Sequence, residues 1–347
     1  MKQQVSLIIE AHWVLPVVPS NKLLEHYGVV VDAETIVDIR PIAEVHSQYQ
    51  AIEVIKLNNQ ILMPGLINLH THTAMSLMRG LADGLALQPW LHNHIWPAES
   101  KLVSPDFVYD GTVLAAAEML SGGVTTCNDM YFFPASAAEA SIKMGLRVNL
   151  GLVVIEFPTQ YANDADSYIK TGLDVRDSYR EQPLVSFSFA PHAPYTVSDK
   201  TFQRIATLSN QVNIGIHTHL HETKEELSQS NEAHGLRPLA RLANLDLLGP
   251  NVTFAHCVHM NAVEMRLLAE HGCSIAHCPS SNLKLASGIA PISQYIQYNI
   301  NVGLGTDGAA SNNRLDIFTE MRLAALLAKA ESGDATAVPA YTAIEMG

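Results

Sequence analysis

The sequence has few of the features that mark secreted or membrane-bound proteins. It contains four cysteines in 347 residues, none of them in a C-x-x-C pair, and a chain of this length does not need disulfides to hold a core. Glu10 and His12 interrupt the apolar N-terminal run, which therefore lacks the pattern of a signal peptide. No stretch of about 18 uncharged apolar residues is present. We therefore expect a cytoplasmic protein in a reducing compartment, with no membrane partner.

Basic residues are also scarce. Lys and Arg number 21 against 34 Asp and Glu, which gives a formal net charge of -13, and no Lys/Arg run occurs. Nucleic-acid binding depends on clustered basic residues, so a nucleic-acid partner is not expected. Histidine, in contrast, is abundant, with 16 residues. The chain is long enough for one large α/β domain with a small satellite, or for two ordinary domains.

Two parts of the chain differ in the length and spacing of their apolar segments. Residues 1–58 contain short apolar runs separated by turn residues and predict a small β module. Residues 59–347 alternate short apolar strands with segments of helix length, and this favours an α/β fold of the (β/α)₈ TIM-barrel type. A doubly wound sheet is the rival, but no G-x-G-x-x-G follows the first strand. The predicted barrel strands span residues 66–72, 124–130, 147–154, 185–192, 213–220, 251–257, 273–279 and 301–308.

Polar residues follow most of these predicted strands. In a (β/α)₈ barrel the carboxyl ends of the strands share one face, and that face carries the active site. Such residues can bind metal or move protons, and their recurrence at strand ends predicts a site there. They are His70, His72, Asn128, Asp129, His192, His219, Glu222, His256, His277 and Asp307.

Three short motifs stand out among these residues. His70 and His72 are two apart, so on a strand both face the same side, and neutral imidazoles are common metal ligands. A pair of polar residues lining the core is the alternative. Asp307 lies in the small-residue segment GLGTDGAASNN and is either a ligand or base, or an N-cap of the next helix. In HTHLHE, His217 to Glu222, periodicity alone does not separate the three histidines.

Five segments resemble the amidohydrolase superfamily, and most closely its branch that deaminates 5'-methylthioadenosine and S-adenosylhomocysteine. In chain order they are MPGLINLHTHTAMSLMRGLADG, HTHLHETKEE, AHCVHM, AHCPSSNLKLASGIAPI and GLGTDGAASNN. The H-x-E and P-C-x-x-C signature of the unrelated cytidine-type deaminases is absent.

The resemblance implies one divalent metal per subunit, usually zinc, and a water activated to hydroxide. Its implied ligands are His70, His72, His219 and Asp307. The hydroxide attacks C6 of the purine, and ammonia leaves an inosine-type product.

The resemblance also assigns three catalytic residues. Glu222 protonates the purine ring nitrogen, His256 orients the hydroxide, and Asp307 accepts the water proton and helps to pass it to the leaving amine. Each has a structural alternative: Glu222 suits an acidic helix start, and His256 a buried position beside Cys257. Within HTHLHE, the family pattern makes His219 the ligand, His217 a barrel-lining residue and His221 a supporting one.

Substrate contacts are likewise implied by the resemblance. Trp90 lines the nucleoside pocket, Glu99 binds the ribose hydroxyls, and His192 contacts sugar or base; Glu222 and Asp307 complete the set. Arg147 either reaches the carboxylate of S-adenosylhomocysteine, from a neighbouring subunit of a homo-oligomer, or forms a structural ion pair. His277 and Ser280 are expected near the mouth. Three further histidines are read as loop or supporting residues: His92, His94 and His259.

Two departures from the family pattern affect what we expect. Gly84 and Gln88 stand where the family more often has acidic residues, which bears on fine specificity. The chain ends in TAVPAYTAIEMG, where a helix begins, and residues 1–58 alone would leave unpaired strand edges. We therefore expect a C-terminal part of the β module to be missing. Guanine deamination, triazine dechlorination and a non-catalytic metal-binding scaffold remain alternatives.

Overall fold

A computed structural model describes residues 2–347. The chain forms two compact units, Met1–Gly65 and Leu66–Gly347. The domain boundary between residues 58 and 59 stays a prediction.

The N-terminal unit is a β-sandwich-like sheet of four strands with one short helix. Its elements are β1 (Gln3–Val14), β2 (Leu24–Asp32), β3 (Thr35–Pro41), α1 (Ile42–Gln48) and β4 (Tyr49–Leu62). The strand order is β3-β2-β1-β4, with β1 antiparallel to β2 and parallel to β4. Buried Val5, Ile8, Val30 and Val45 form a small core, with α1 supplying Val45.

The second unit is a nearly closed barrel of eight parallel strands, in sequence order around the sheet. The strands are β5 (Leu66–Thr71), β6 (Val124–Tyr131), β7 (Arg147–Val154), β8 (Val185–Pro191), β9 (Gly215–Leu220), β10 (Val252–His256), β11 (Ser274–His277) and β12 (Asn301–Leu304). Asp307 N–H, beyond β12, donates to His70 O on β5 at 2.9 Å and links the two ends of the sheet. The predicted (β/α)₈ fold is confirmed, with all eight strands present.

Helices alternate with these strands. They are α2 (Leu87–Trp90), α3 (Trp96–Leu102), α4 (Pro105–Ser121), α5 (Pro134–Met144), α6 (Ala165–Tyr179), α7 (Asp199–Val212), α8 (Lys224–His234), α9 (Pro238–Ala243), α10 (Ala262–His271), α11 (Pro279–Lys284), α12 (Ile292–Gln297), α13 (Ala309–Asn312), α14 (Ile317–Ser332) and α15 (Ala340–Met346). Between Leu66 and Gly347 no helix is long and apolar enough to cross a bilayer, and the same holds for α1 in the N-terminal unit.

Helix α4 has strong local signals at both ends. The Ser104 hydroxyl accepts a hydrogen bond from Phe107 N–H at 3.1 Å, Pro105 fits the first turn, and Gly122 closes the helix. Gly111 lies in its middle, where a Cβ atom would come 2.6 Å from Ala74 O and 2.8 Å from Ala74 Cα. The glycine therefore allows α4 to approach the 3-10 turn Thr73–Met78 that follows His72.

We expect Gly111→Ala to destabilise the protein by about 1–3 kcal/mol, because overpacking against fixed backbone outweighs the roughly 1 kcal/mol that Ala gains in a helix. Thermal and denaturant unfolding would measure the change. Gly122→Ala is the matched control, since its Cβ would meet only ordinary contacts at 3.5 Å. Equal stability of the Gly111 variant and the wild type would contradict this close approach.

Candidate metal centre and active site

Three histidines converge at the carboxyl ends of two barrel strands. His70 is in β5, His72 follows it, and His219 is in β9. One ring nitrogen from each lies within 4.8 Å of the others. The i, i+2 spacing places His70 and His72 in the same region of the barrel mouth, as the sequence predicted.

Hydrogen bonds fix which nitrogen two of these rings present. His72 Nδ1 lies 2.6 Å from Met130 O, and His219 Nδ1 lies 2.7 Å from His192 O. A carbonyl oxygen only accepts, so both Nδ1 atoms carry the proton. The Nε2 lone pairs of His72 and His219 are therefore free to bind a cation.

His70 has a different supporting partner. Its Nδ1 lies 3.0 Å from Nε2 of His217, which is in β9 two residues before His219. Both rings are buried, and neither His70 Nε2 nor His217 Nδ1 has a hydrogen-bond partner. His217 thus contacts the Nδ1 side of His70. The unpartnered Nε2 of His70 lies on the side of His72 and His219.

Asp307 supplies a carboxylate beside these imidazoles. Its Oδ1 lies 3.1 Å from His72 Nε2 and 3.4 Å from His70 Nε2. Its Oδ2 accepts hydrogen bonds from the hydroxyls of Ser281 at 2.6 Å and Ser311 at 2.8 Å. These two donors hold the carboxylate with one oxygen toward the histidines.

Burial and the Asp307 carboxylate act in opposite directions on the pKa values of the cluster. Burial lowers the pKa of His70 to about 4 and that of His219 well below its usual range. Burial also opposes a charged His72, but the Asp307 carboxylate outweighs it and raises the pKa of His72 to about 9. Burial acts against the Asp307 carboxylate as well, yet His70 and His72 hold its pKa well below the usual range. Asp307 thus favours a proton on His72 Nε2, and a divalent cation would take the place of that proton.

The donor set fits a divalent metal. Neutral imidazole nitrogens and one carboxylate oxygen are ligands that zinc and similar ions take, and the unpartnered His70 Nε2 is otherwise a costly buried atom. His70, His256 and Asp307 also offer ligand atoms within 4.8 Å of one another. His256 therefore lies close enough to contact a metal ion, or a water molecule on it, held by the cluster.

His256 and Glu222 form a second pair at the same mouth. His256 ends β10, and its Nδ1 lies 2.8 Å from Asn282 Oδ1, which leaves Nε2 facing Glu222 Oε2 at 3.7 Å. Glu222 Oε1 accepts from the Ser287 hydroxyl at 3.1 Å. Burial raises the pKa of Glu222, since the charged carboxylate is disfavoured away from water. A protonated Glu222 can act as a general acid.

The loop that carries Glu222 is held from below by another carboxylate. Glu226 in α8 is buried and accepts the backbone N–H groups of His221 at 3.0 Å and Glu222 at 2.9 Å. His221 has a positive φ of 52°, which is uncommon for a residue with a side chain. Thr223, not Glu222, caps α8. Glu222 therefore precedes the helix and has no part in its first turn.

A cavity opens above the cluster. Glu99, from α3, accepts a hydrogen bond from Tyr131 O–H at 2.8 Å, and burial raises the pKa of Glu99 to about 7. His192 Nδ1 lies 2.9 Å from Thr196 Oγ1. The predicted site residues that line this cavity are His72, Trp90, Glu99, His192, His219, Glu222, His256 and Asp307.

Other predicted residues lie outside this cavity. Arg147 begins β7 at the opposite end of the strand, where its Nη1 donates to Pro183 O at 2.7 Å. His277 is buried at the end of β11 with both ring nitrogens unpartnered, and the Ser280 hydroxyl donates to Glu320 at 2.6 Å. His259 Nε2 lies 2.7 Å from Ser287 O and so supports the residue that contacts Glu222.

His92 and His94 are exposed on the π-helical segment Leu91–Ile95. The His92 ring packs edge-on against Trp96 with centroids 4.3 Å apart. Neither histidine is brought to the metal-ligand cluster, in keeping with their reading as loop residues.

Several residues of the site were not predicted as functional. They are Ser281, Asn282, Ser287 and Ser311, which bond to Asp307, His256 or Glu222, and Tyr131, which bonds to Glu99. Three of them belong to the segment SSNLKLAS, which the sequence marked only as a motif. A neutral polar side chain gives no spacing signal of its own, so only the fold pairs it with a partner.

Comparison with known proteins agrees with this geometry. Residues 61–347 match the model of the amidohydrolase family. The 5-methylthioadenosine/S-adenosylhomocysteine deaminase of Saccharophagus degradans is 47% identical over 99% of this chain and 77% of its own length. The 5'-deoxyadenosine deaminase of Methanothrix thermoacetophila is 38% identical over 93% of this chain and 76% of its own.

A solved structure extends the comparison to three dimensions. The adenosine deaminase of Xanthomonas campestris, determined with bound zinc, superposes with a TM-score of 0.98 at 43% identity and covers 100% of this chain and 79% of its own. The matched family model, these relatives and the converging ligand cluster all agree. The chain therefore belongs to the amidohydrolase family.

Proposed function

We propose that this protein is a zinc-dependent deaminase of 5'-substituted adenosines, acting on 5'-methylthioadenosine and S-adenosylhomocysteine, with adenosine as a further substrate. The observation that carries the proposal is one cavity that joins a metal-ligand cluster, a buried acid at Glu222 and a second carboxylate at Glu99. The names of the relatives and the zinc in the Xanthomonas structure support it.

His70, His72, His219 and Asp307 would hold the metal. When bound, a divalent metal supplies the Lewis acidity that makes water nucleophilic near neutral pH. The chain then has three tasks: to place the amino-bearing carbon of the purine beside that water, to protonate the ring, and to move one proton from water to the amino group.

Glu222 performs the ring protonation. Burial raises the pKa of its carboxyl and so favours the protonated form, and the Ser287 hydroxyl fixes its orientation. As the carbon gains oxygen, Glu222 gives its proton to the adjacent ring nitrogen, which spreads the developing charge. His256 faces the same space and is held by Asn282, so its Nε2 orients the attacking water.

Asp307 performs the proton transfer to the leaving group. Oδ2 accepts from Ser281 and Ser311, and Oδ1 accepts from the Gly308 N–H at 2.8 Å. The side of Oδ1 that faces the histidines accepts the water proton and delivers it to the amine. The C–N bond breaks and ammonia leaves, while the second proton of the attacking water returns to Glu222, so the ring keeps a carbonyl oxygen and the N–H that Glu222 supplied. The sum is substrate plus water giving the inosine-type product plus ammonia.

Glu99 gives the proposal a distinguishing test. A carboxylate at the cavity wall accepts hydrogen bonds from two neighbouring hydroxyls, so it favours a ribose diol over a bare heteroaromatic ring. With zinc-loaded protein, we expect ammonia release from 5'-methylthioadenosine, and a fall in kcat/KM of about 10–100-fold for each hydroxyl removed from the ribose. Coupled ammonia detection measures both.

The same assay decides among the alternatives. Faster turnover of guanine or of a chlorotriazine than of any nucleoside would replace the proposal with one of those reactions, since neither substrate offers a diol. Full zinc binding without turnover of any of these compounds would indicate a metal-binding scaffold.

A further inference from the structure

A second cavity lies beside the cavity that opens above the metal-ligand cluster, which we call the catalytic cavity. We call the second one the side cavity. The two share wall residues, among them Trp96, Glu99, Phe132 and Ile155. Glu99 therefore stands at the boundary, so a ligand bound by Glu99 can extend from one cavity into the other.

The walls of the side cavity are mostly aromatic and aliphatic. Trp96 and Phe157 pack with ring centroids 5.3 Å apart, and Phe132 and Tyr161 add two more rings. Val103 is buried in the same wall. A thioether sulfur is polarisable and makes favourable contacts with aromatic rings, so a small alkylthio group suits this lining.

Most polar groups of the wall already form hydrogen bonds, whereas the buried Tyr161 Oη, a single neutral donor, has no partner. Gln160 Nε2 donates to Ser100 O at 3.1 Å. Thr159 Oγ1 lies 2.6 Å from Tyr168 Oη and accepts from Tyr161 N–H at 3.1 Å. These bonds leave few wall groups to solvate a charge that enters.

A charged substituent would find no cationic partner here. Among the described residues that line the two cavities there is no Lys or Arg, and Glu99 would repel a second carboxylate. Arg241 lines a different cavity, where it is buried and donates to Asp199 and to the carbonyl oxygen of Val197 at 3.0 Å. Each of its three guanidinium nitrogens already donates a hydrogen bond.

We propose that the side cavity receives the 5' substituent of the nucleoside and selects an uncharged thioether, such as methylthio, over the zwitterionic homocysteinyl group. This inference rests on the proposed deaminase function and on ribose binding at Glu99. With the purine over the ligand cluster and the diol at Glu99, the 5' carbon lies a few bonds further on, where the side cavity begins. The homocysteinyl group would lose the hydration of its carboxylate and ammonium there. The free energy of that loss exceeds the hydrophobic free energy that its additional methylene groups gain on burial.

The first experiment compares substrates on the zinc-loaded protein. We expect kcat/KM for 5'-methylthioadenosine to exceed that for S-adenosylhomocysteine by about 100-fold, with most of the difference in KM, because the reacting ring and the diol are the same. 5'-Butylthioadenosine controls for size and should stay close to the methylthio compound. A ratio below tenfold, or a butylthio compound as poor as S-adenosylhomocysteine, would overturn the selection by charge.

The second experiment separates this inference from the proposed reaction. Calorimetric titration of both thioethers into the Glu222→Gln variant measures binding without turnover. Tighter binding of the methylthio compound, even if no ammonia is released, would support the side cavity and reject only the deaminase function. Equal binding of the two thioethers, or binding of neither, would overturn the inference.

Gln160 offers a gain-of-function test. It is exposed at the rim of the side cavity and takes no part in the catalytic machinery. Gln160→Arg supplies the missing cation, and we expect it to shift the preference at least tenfold toward S-adenosylhomocysteine. Gln160→Met is the matched control, because it also loses the bond to Ser100 but adds no charge. An equal shift in both variants would count against selection by charge.

Discussion

Replacing Glu222 with Gln should lower kcat by about 10²–10⁴-fold, the range that a positioned general acid contributes, while zinc content stays unchanged. The amide has the shape of the carboxyl and can still accept from the Ser287 hydroxyl, which lies 3.1 Å from Oε1. It cannot give a proton to the purine ring. Steady-state kinetics and metal analysis on the same sample would separate the two effects.

Glu225→Gln is the matched control for this variant. Glu225 is an exposed carboxylate in the first turn of α8, only three positions away, and its replacement makes the same Glu-to-Gln change in the same segment. We expect near-normal turnover from it. Retention of activity in the Glu222 variant would show that the ring is protonated by another group.

The sequence could predict the fold because the barrel strands are short apolar runs, most of them followed by a polar residue. It also predicted that these polar residues share one face, and His70, His72 and His219 do lie together. The predicted bounds of the last strand are too long, because β12 ends at Leu304 and not at residue 308. A Cβ at Gly305 would lie 2.8 Å from His70 Cβ, and Asp307 has a φ of 60°, so the backbone leaves the extended conformation there.

Supporting contacts were beyond the reach of the sequence. Glu226 looked like one of several acids at a helix start, yet its carboxylate is buried under the loop that carries Glu222. Ser281 and Ser287 belong to one segment but bond to acids that follow different strands, Asp307 after β12 and Glu222 after β9. Such pairings depend on how the loops of the barrel mouth meet, and short-range periodicity carries no information about that.

The role of His217 within HTHLHE is another contact that the sequence alone could not predict. All three histidines of that segment can share a face, but only the structure shows His217 Nε2 against His70 Nδ1 at 3.0 Å. For His70 to bind metal through Nε2, its Nδ1 must carry the proton and donate to His217. His217 then acts on the metal through His70 and has no need to be a ligand itself.

Replacing His219 with Ala should therefore abolish stable zinc binding, since it removes a ligand whose tautomer is fixed by His192 O. His217→Leu should weaken zinc affinity by only about 10–100-fold, the cost of losing a supporting partner. His217→Gln should restore most of that loss, because its amide oxygen can accept from His70 Nδ1. Competition with a chromogenic chelator measures all three affinities in the absence of substrate. Equal loss in the His219→Ala and His217→Leu variants, with no recovery in the His217→Gln variant, would make His217 the ligand instead.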